Sequence, residues 1–174
     1  MDIWLDIPSP VEAVLPRRVV IPFDRSLRIG RTPAADVELS NPGSSRQQCE
    51  LGRDACGAWV FDRVSRNGTH LNGQRIDQGQ RHRLRPDDEL VVQDVQIRVG
   101  WDFEVKPFWR TWGEGVVVAL AQRVRDEDDF AVMPILADAL EDAGCTEASI
   151  LEHLRGPGPH VPECWVIEAL LGRK

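Results

Sequence analysis

Arginine, serine and asparagine recur at loop-like positions early in the chain, as Arg31, the pair Ser45-Arg46 and the run Arg66-Asn67-Gly68. A guanidinium offers a planar fork of N–H donors, a serine hydroxyl one more donor, and an asparagine amide both a donor and an acceptor. Brought together at loop ends, these groups can hold a phosphate. Taken singly, each has a plainer use: Arg31 in a weak surface salt bridge, Ser45 as a turn serine, Asn67 as a turn former at positive φ. Their joint presence favours phosphate binding.

A second set of chemically capable residues lies near the C-terminus. Cys145, His153, His160 and Cys164 are spaced C-x7-H-x6-H-x3-C, and ligands of these types can bind zinc tetrahedrally. The spacing matches no standard finger, so core packing of the cysteines and helix-end solvation of the histidines is the expected use, and no metal or cofactor is assigned. Asp138, Glu141 and Asp142 read as a solvated helix face rather than a cation site. The possible nucleophiles Ser45, Cys49 and Cys145 have no general base identifiable beside them, and no glycine loop leads into Lys-Ser or Lys-Thr. A non-catalytic role is expected.

The elements that must position the first set are short strands. Runs of β-formers separated by turn residues occur at Asp2–Ile7, Arg18–Phe23, Ser26–Gly30, Asp36–Leu39, Gln48–Gly52, Ala58–Asp62, Thr69–Leu71, Gln80–Leu84, Glu89–Val92 and Val95–Trp101. That spacing predicts an antiparallel β-sandwich rather than a parallel α/β fold. Val19, Ile21 and Phe23 fall on one face, as do Val95, Ile97 and Val99, and Trp59 and Phe61 are expected in the core. Asn41-Pro42-Gly43 ends a strand, Asn72-Gly73 is a two-residue hairpin signal, and Pro86-Asp87-Asp88 marks a further turn.

In order and spacing, Ile29-Gly30-Arg31, Asp36–Leu39, Ser44–Leu51, Val64–Thr69 and Leu71-Asn72-Gly73 resemble the forkhead-associated (FHA) domain over about 100 residues. The resemblance implies a β-sandwich of about 11 strands whose loops at one end bind phosphothreonine peptides. It implies that Arg31 pairs with the phosphate, that Ser45 donates its hydroxyl to it, and that Arg46 supplies another phosphate contact. Arg66 lies where many members have threonine, and Asn67 would bond the peptide backbone beside the phosphothreonine. One position departs from the pattern: three residues after the binding serine the family usually has a buried histidine that braces the loops, and here stands Gln48. Glutamine can both donate and accept, as a brace requires. A degenerate sandwich serving only as a scaffold is the alternative that this departure keeps open.

After a joint at Lys106–Gly113 that carries proline and tryptophan, the period changes from two to that of a helix. Helices are predicted over Glu114–Arg125, over Phe130–Ala143 with Gly144 ending it, over Glu147–Leu154 with Thr146 as its cap, and over Trp165–Leu171. Domains at 1–105 and 114–174 are expected, with Trp109 and Trp112 as natural contacts between them. The stretch from Met133 to Ile167 resembles a tail segment found at the C-terminus of many bacterial proteins of unknown function, which implies an accessory module but no activity.

Charge and composition limit the partners. Residues 1–106 hold 15 Lys/Arg against 16 Asp/Glu, whereas residues 107–174 hold 6 against 12. An acidic balance with no basic tract argues against nucleic acid or an anionic membrane surface. Among the 15 basic residues of the first part, 14 are arginine, the side chain better suited to bidentate phosphate contacts. No apolar run reaches the roughly 18 residues of a membrane span, no secretory signal is apparent, and four scattered cysteines suit a reducing cytoplasm. The expected role is recruitment of a phosphothreonine-containing protein in a Ser/Thr kinase pathway. The alternative is a phospho-independent interaction made by the acidic helical tail.

Overall fold

A computed structural model describes residues 2–8, 17–39 and 42–172. These fall into two compact units, one spanning Asp2–Asp102 and the other beginning at Phe103.

The first unit is a sandwich of two sheets. Its strands are β1 (Ile3–Ile7), β2 (Arg17–Val20), β3 (Leu27–Gly30), β4 (Val37–Glu38), β5 (Cys49–Asp54), β6 (Gly57–Asp62), β7 (Thr69–Leu71), β8 (Gln74–Arg75), β9 (Arg81–Arg83), β10 (Glu89–Val92) and β11 (Val95–Trp101). One sheet runs β2-β1-β11-β10-β7-β8 and the other β4-β3-β5-β6-β9. All pairings are antiparallel except β3 with β4. Alternation sends Ile3, Leu5, Ile29, Leu51, Val60, Leu90, Ile97 and Val99 inward, all at zero exposure.

Trp59 is buried as expected, on the face of β6 opposite Ala58 and Val60, where it covers Gly52 on β5 and Arg81 stacks 4.1 Å above its ring. Two other sequence expectations need correction. Phe61, on that same outer face, is only half-buried. Phe23 does not continue the inward face of Val19 and Ile21: β2 stops at Val20, and Phe23 is 65% exposed with Arg53 over its ring.

The second unit is helical: α1 (Pro107–Thr111), α2 (Val116–Glu127), α3 (Met133–Asp142), α4 (Ala148–Arg155) and α5 (Trp165–Leu171). Helix α1 lies inside the stretch expected to be a joint. The next helix starts two residues later than expected because Gly113, Glu114 and Gly115 take left-handed backbone and kink the chain. Thr146 does not cap α4; the helix starts one residue later than expected, with Glu147 at the cap position. Helix α2 packs against α3 and α5, and α3 against α4. Val117, Ala121, Leu136, Leu140, Ile150, Leu154, Val166 and Ile167 fill the core between them. The buried Glu168 carboxylate ties α5 to Arg125 of α2 at 2.9 Å. No described helix is long and apolar enough to cross a membrane.

Candidate functional site

Three loops at one end of the sandwich carry the arginine, serine and asparagine residues. Arg31 follows β3, Ser45 and Arg46 lie between β4 and β5, and Arg66 and Asn67 lie between β6 and β7. Backbone bonds fasten the first two loops together: Arg31 N–H donates to the Ser45 carbonyl at 3.0 Å, and Gln48 N–H to the Ile29 carbonyl at 2.8 Å. The approach is close enough that a Cβ at Gly30 would overlap the Arg46 carbonyl, which is why β3 ends in glycine.

The Gln48 side chain ties the second loop to the third. It is at zero exposure. The amide oxygen accepts the Ser45 N–H at 3.0 Å, and the amide nitrogen donates to the Gly68 carbonyl at 2.8 Å and lies 3.5 Å from Thr69 Oγ1. Both functions of the glutamine amide are used, so Gln48 bonds the two loops to one another as a brace requires.

The third loop has a brace of its own. Asp62, fully buried at the end of β6, accepts the Ser65 N–H at 2.7 Å and the Ser65 hydroxyl at 2.8 Å. Gln78 donates to the Ser65 carbonyl at 2.7 Å. Within this turn Val64 is held at φ 60 with its side chain 73% exposed, a strained backbone for a β-branched residue that the surrounding bonds impose. Sequence reading did not single out Asp62, Ser65 or Gln78, although an Asp-x-x-Ser run after a strand is a turn signal that could have done so. Asn67 itself is not in left-handed backbone; that conformation falls on Gly68. The Asn67 amide donates to the Gly43 carbonyl at 3.1 Å.

The resulting recess has a volume of about 410 Å³ and is lined by Arg31, Pro42, Gly43, Ser44, Ser45, Arg46 and Arg66. Asn67 is outside the lining but fastened to it through Gly43. Asn41, read as part of the turn entering this loop, lies outside the described residues. The Ser45 hydroxyl accepts the Arg66 N–H at 3.1 Å, which leaves its own hydrogen available to an incoming acceptor. Ser44, another residue sequence reading passed over, is buried here with no hydrogen-bond partner for its hydroxyl among the described residues.

Electrostatics separate these arginines from their neighbours. Arg25 and Arg28 are held by Asp36 at 2.8 and 3.4 Å, and Arg63 by Glu50. Asp36 lies below the usual carboxylate range because the Arg28 backbone N–H donates to it, with the two guanidiniums adding to that effect against burial. Burial pushes Glu50 up, yet the Ser26 hydroxyl and Arg63 outweigh it and its net shift is downward. Arg31, Arg46 and Arg66 have no such partner: among the described residues none of the three is in an ion pair, and Arg31 Nε donates only to the Ser44 carbonyl, at 3.3 Å. Three guanidiniums without an ion-pair partner among the described residues, around a recess with a hydroxyl donor, have the charge and donors that suit a multiply charged oxyanion.

Of the residues named in the helical part, Asp138 and Glu141 are paired with Arg155 at 2.7 and 2.6 Å, which raises the Arg155 pKa and leaves them a solvated helix face. Cys49 is fully buried, and that burial pushes its thiol up, the reverse of the activation a nucleophilic cysteine needs. All four cysteines are outside any disulfide.

Residues 27–93 match the FHA domain family. The fold is shared with solved FHA structures. The FHA domain of the CT664 protein from Chlamydia trachomatis has a TM-score of 0.53 at 19% identity, covering 59% of this chain and 100% of that one. A domain solved for the structural and functional analysis of phosphothreonine-dependent FHA interactions has a TM-score of 0.51 at 24% identity, covering 59% and 99%. Mycobacterium tuberculosis EmbR, solved with a low-affinity phosphopeptide, has a TM-score of 0.51 at 19% identity, covering 60% of this chain and 26% of its own. No curated protein matches the chain significantly.

Proposed function

We propose that this FHA-fold sandwich captures a phosphothreonine-containing segment of a partner protein modified by a Ser/Thr kinase, without catalysing a reaction on it. The observation that carries this reading is the set of three guanidiniums, Arg31, Arg46 and Arg66, without carboxylate partners among the described residues around one recess, while Arg25, Arg28 and Arg63 nearby are paired. A phosphothreonine brings about −1.5 to −2 charges and three acceptor oxygens, which two guanidiniums and the Ser45 hydroxyl can satisfy together. In this reading Arg31 and Ser45 hold the phosphate, Arg46 and Arg66 add charge at the rim, and Asn67 exchanges its bond to Gly43 for one to the peptide backbone. The phosphopeptide bound by EmbR and the phosphothreonine-dependent interactions of the second structural relative support the choice of ligand.

Titration of a phosphothreonine peptide library against its unphosphorylated copies tests the reading. Binding should be confined to the phosphorylated set, and Arg31→Ala or Ser45→Ala should weaken it by about 10–100-fold, the range of one hydrogen bond to a charged group. Equal binding of both sets, or full affinity in Arg31→Ala, would refute it. A partner retained through residues 107–174 and insensitive to phosphatase would favour a phospho-independent tail interaction instead.

A further inference from the structure

Three side chains of the helical unit converge in a way the recess on the sandwich does not explain. His153 on α4, His160 in the loop after it and Cys164 at the start of α5 each bring one nitrogen or sulfur to within 4.8 Å of the others. Cys164 is fully buried and both imidazoles are half-buried. Their rings lie under aromatic cover: His160 stacks on Phe130 at 6.3 Å between centroids, and His153 lies 5.8 Å from Trp165.

The orientation of His160 is that of a ligand. Its Nε2 is 3.0 Å from the Gly156 carbonyl oxygen, which can only accept, so in the neutral ring Nε2 carries the hydrogen and Nδ1 the lone pair. That Nδ1 is buried and has no hydrogen-bond partner among the described residues. An imidazole that gives its outer N–H to a backbone carbonyl and turns its other nitrogen inward is the outer-shell arrangement of metal-ligating histidines. The loop is shaped for it: Gly158 sits at φ +90, where a Cβ would crowd the His160 backbone and ring. The Cys164 sulfur is oriented as well, accepting the Val161 N–H at 3.4 Å.

We propose that His153, His160 and Cys164 bind a zinc ion, with the fourth position of the tetrahedron taken by a ligand from solvent. Two imidazoles and a thiolate suit zinc rather than magnesium or calcium, which take oxygen ligands. Zinc bonds of about 2.0–2.1 Å to nitrogen and 2.3 Å to sulfur place ligand atoms roughly 3.4–3.7 Å apart, so the cluster has to close by about 1 Å through rotation of the half-buried rings. Cys164 binds as its thiolate and its proton passes to solvent. Cys145, which shares the sequence pattern, stands outside the cluster.

The test uses the full chain, reduced and stripped of metal, titrated with zinc alone and separately with cobalt as a spectroscopic substitute. One equivalent of zinc should bind, and the cobalt form should show a sulfur-to-metal charge-transfer band. Cys164→Ser should remove the band and weaken zinc binding by more than about 100-fold, beyond the 10–100-fold loss caused by removing an outer-shell partner. His160→Ala, at a half-buried position that tolerates truncation better, should weaken zinc binding as much, and Cys145→Ser should leave affinity and band unchanged. Absence of saturable one-equivalent binding, undiminished affinity in His160→Ala, or loss of the band in Cys145→Ser would each overturn the assignment.

Discussion

Gln48 bonds two loops of the recess together although it is not among the residues that line it. Its amide is the shared anchor of the Ser45 N–H and the Gly68 carbonyl, both on loops that present proposed phosphate contacts. Gln48→Leu keeps the volume but leaves those groups without a partner in a buried setting, so a loss of about 1–3 kcal/mol of unfolding free energy is expected, together with weaker phosphopeptide binding. Gln48→His retains one donor and one acceptor and should lose less on both counts. Urea denaturation of the two variants beside peptide titration checks this. Equal stability of Gln48→Leu and the parent would mean that the loops hold themselves. At this scale the order of Arg31, Ser45, Arg46 and Arg66 along the chain was enough to expect them around one recess, with Asn67 beside it. The Asp62, Ser65 and Gln78 brace was not, because its members are unremarkable polar residues until folding buries them together.

Elements place those residues by close backbone approach. Strand β3 can run against the loop carrying Ser45 and Arg46 only because residue 30 has no side chain. Gly30→Ala would push the Arg46 carbonyl aside, at about 1–3 kcal/mol for overpacking, and would shift Ser45 relative to Arg31. Phosphopeptide affinity should therefore fall more than 10-fold while the far-UV circular dichroism stays that of a β-sandwich, a fold-change of roughly 1.4 kcal/mol or more. The same device covers the outer faces of both sheets, where Trp59 lies on Gly52 and Trp4 on Gly100, each ring capped by an arginine. Most strands were readable from their period of two. The pair Gln74–Arg75 carries no apolar residue and Pro107–Thr111 is too short to show a helical period, so β8 and α1 left no pattern to read. Phe61 was expected in the core with Trp59, but the alternation of β6 leaves it half-buried on the outer face.

Among the described residues, the carboxylates with lowered pKa values belong to the sandwich: Asp6 beside Arg18, Asp36 beside the Arg28 backbone, and Glu50 beside Ser26 and Arg63. In the unfolded chain such groups titrate near 3.9 for Asp and 4.3 for Glu. Between those values and the lower folded ones the unfolded state binds more protons, so the stability these carboxylates contribute is present above about pH 4.3 and is lost as pH falls through the folded pKa values. Asp36→Asn should thus be less stable than the parent at neutral pH, and the difference should close as pH falls below about 4; a difference that persists in acid would locate the effect outside the ionised carboxylate. Local chemistry, written in residue type and short-range order, was enough to determine the β-sandwich, the helical second part and the positions of Arg31, Ser45 and Arg66. Which charges are neutralised is a long-range matter. Asp36 and Glu50 are no closer in sequence to the arginines they hold than other acids are to Arg31 or Arg66, and only the pairing of strands decides who meets whom. Packing likewise kept Cys145 away from the histidines while bringing Cys164 to them, a choice that spacing along a helix and a proline-rich loop cannot express.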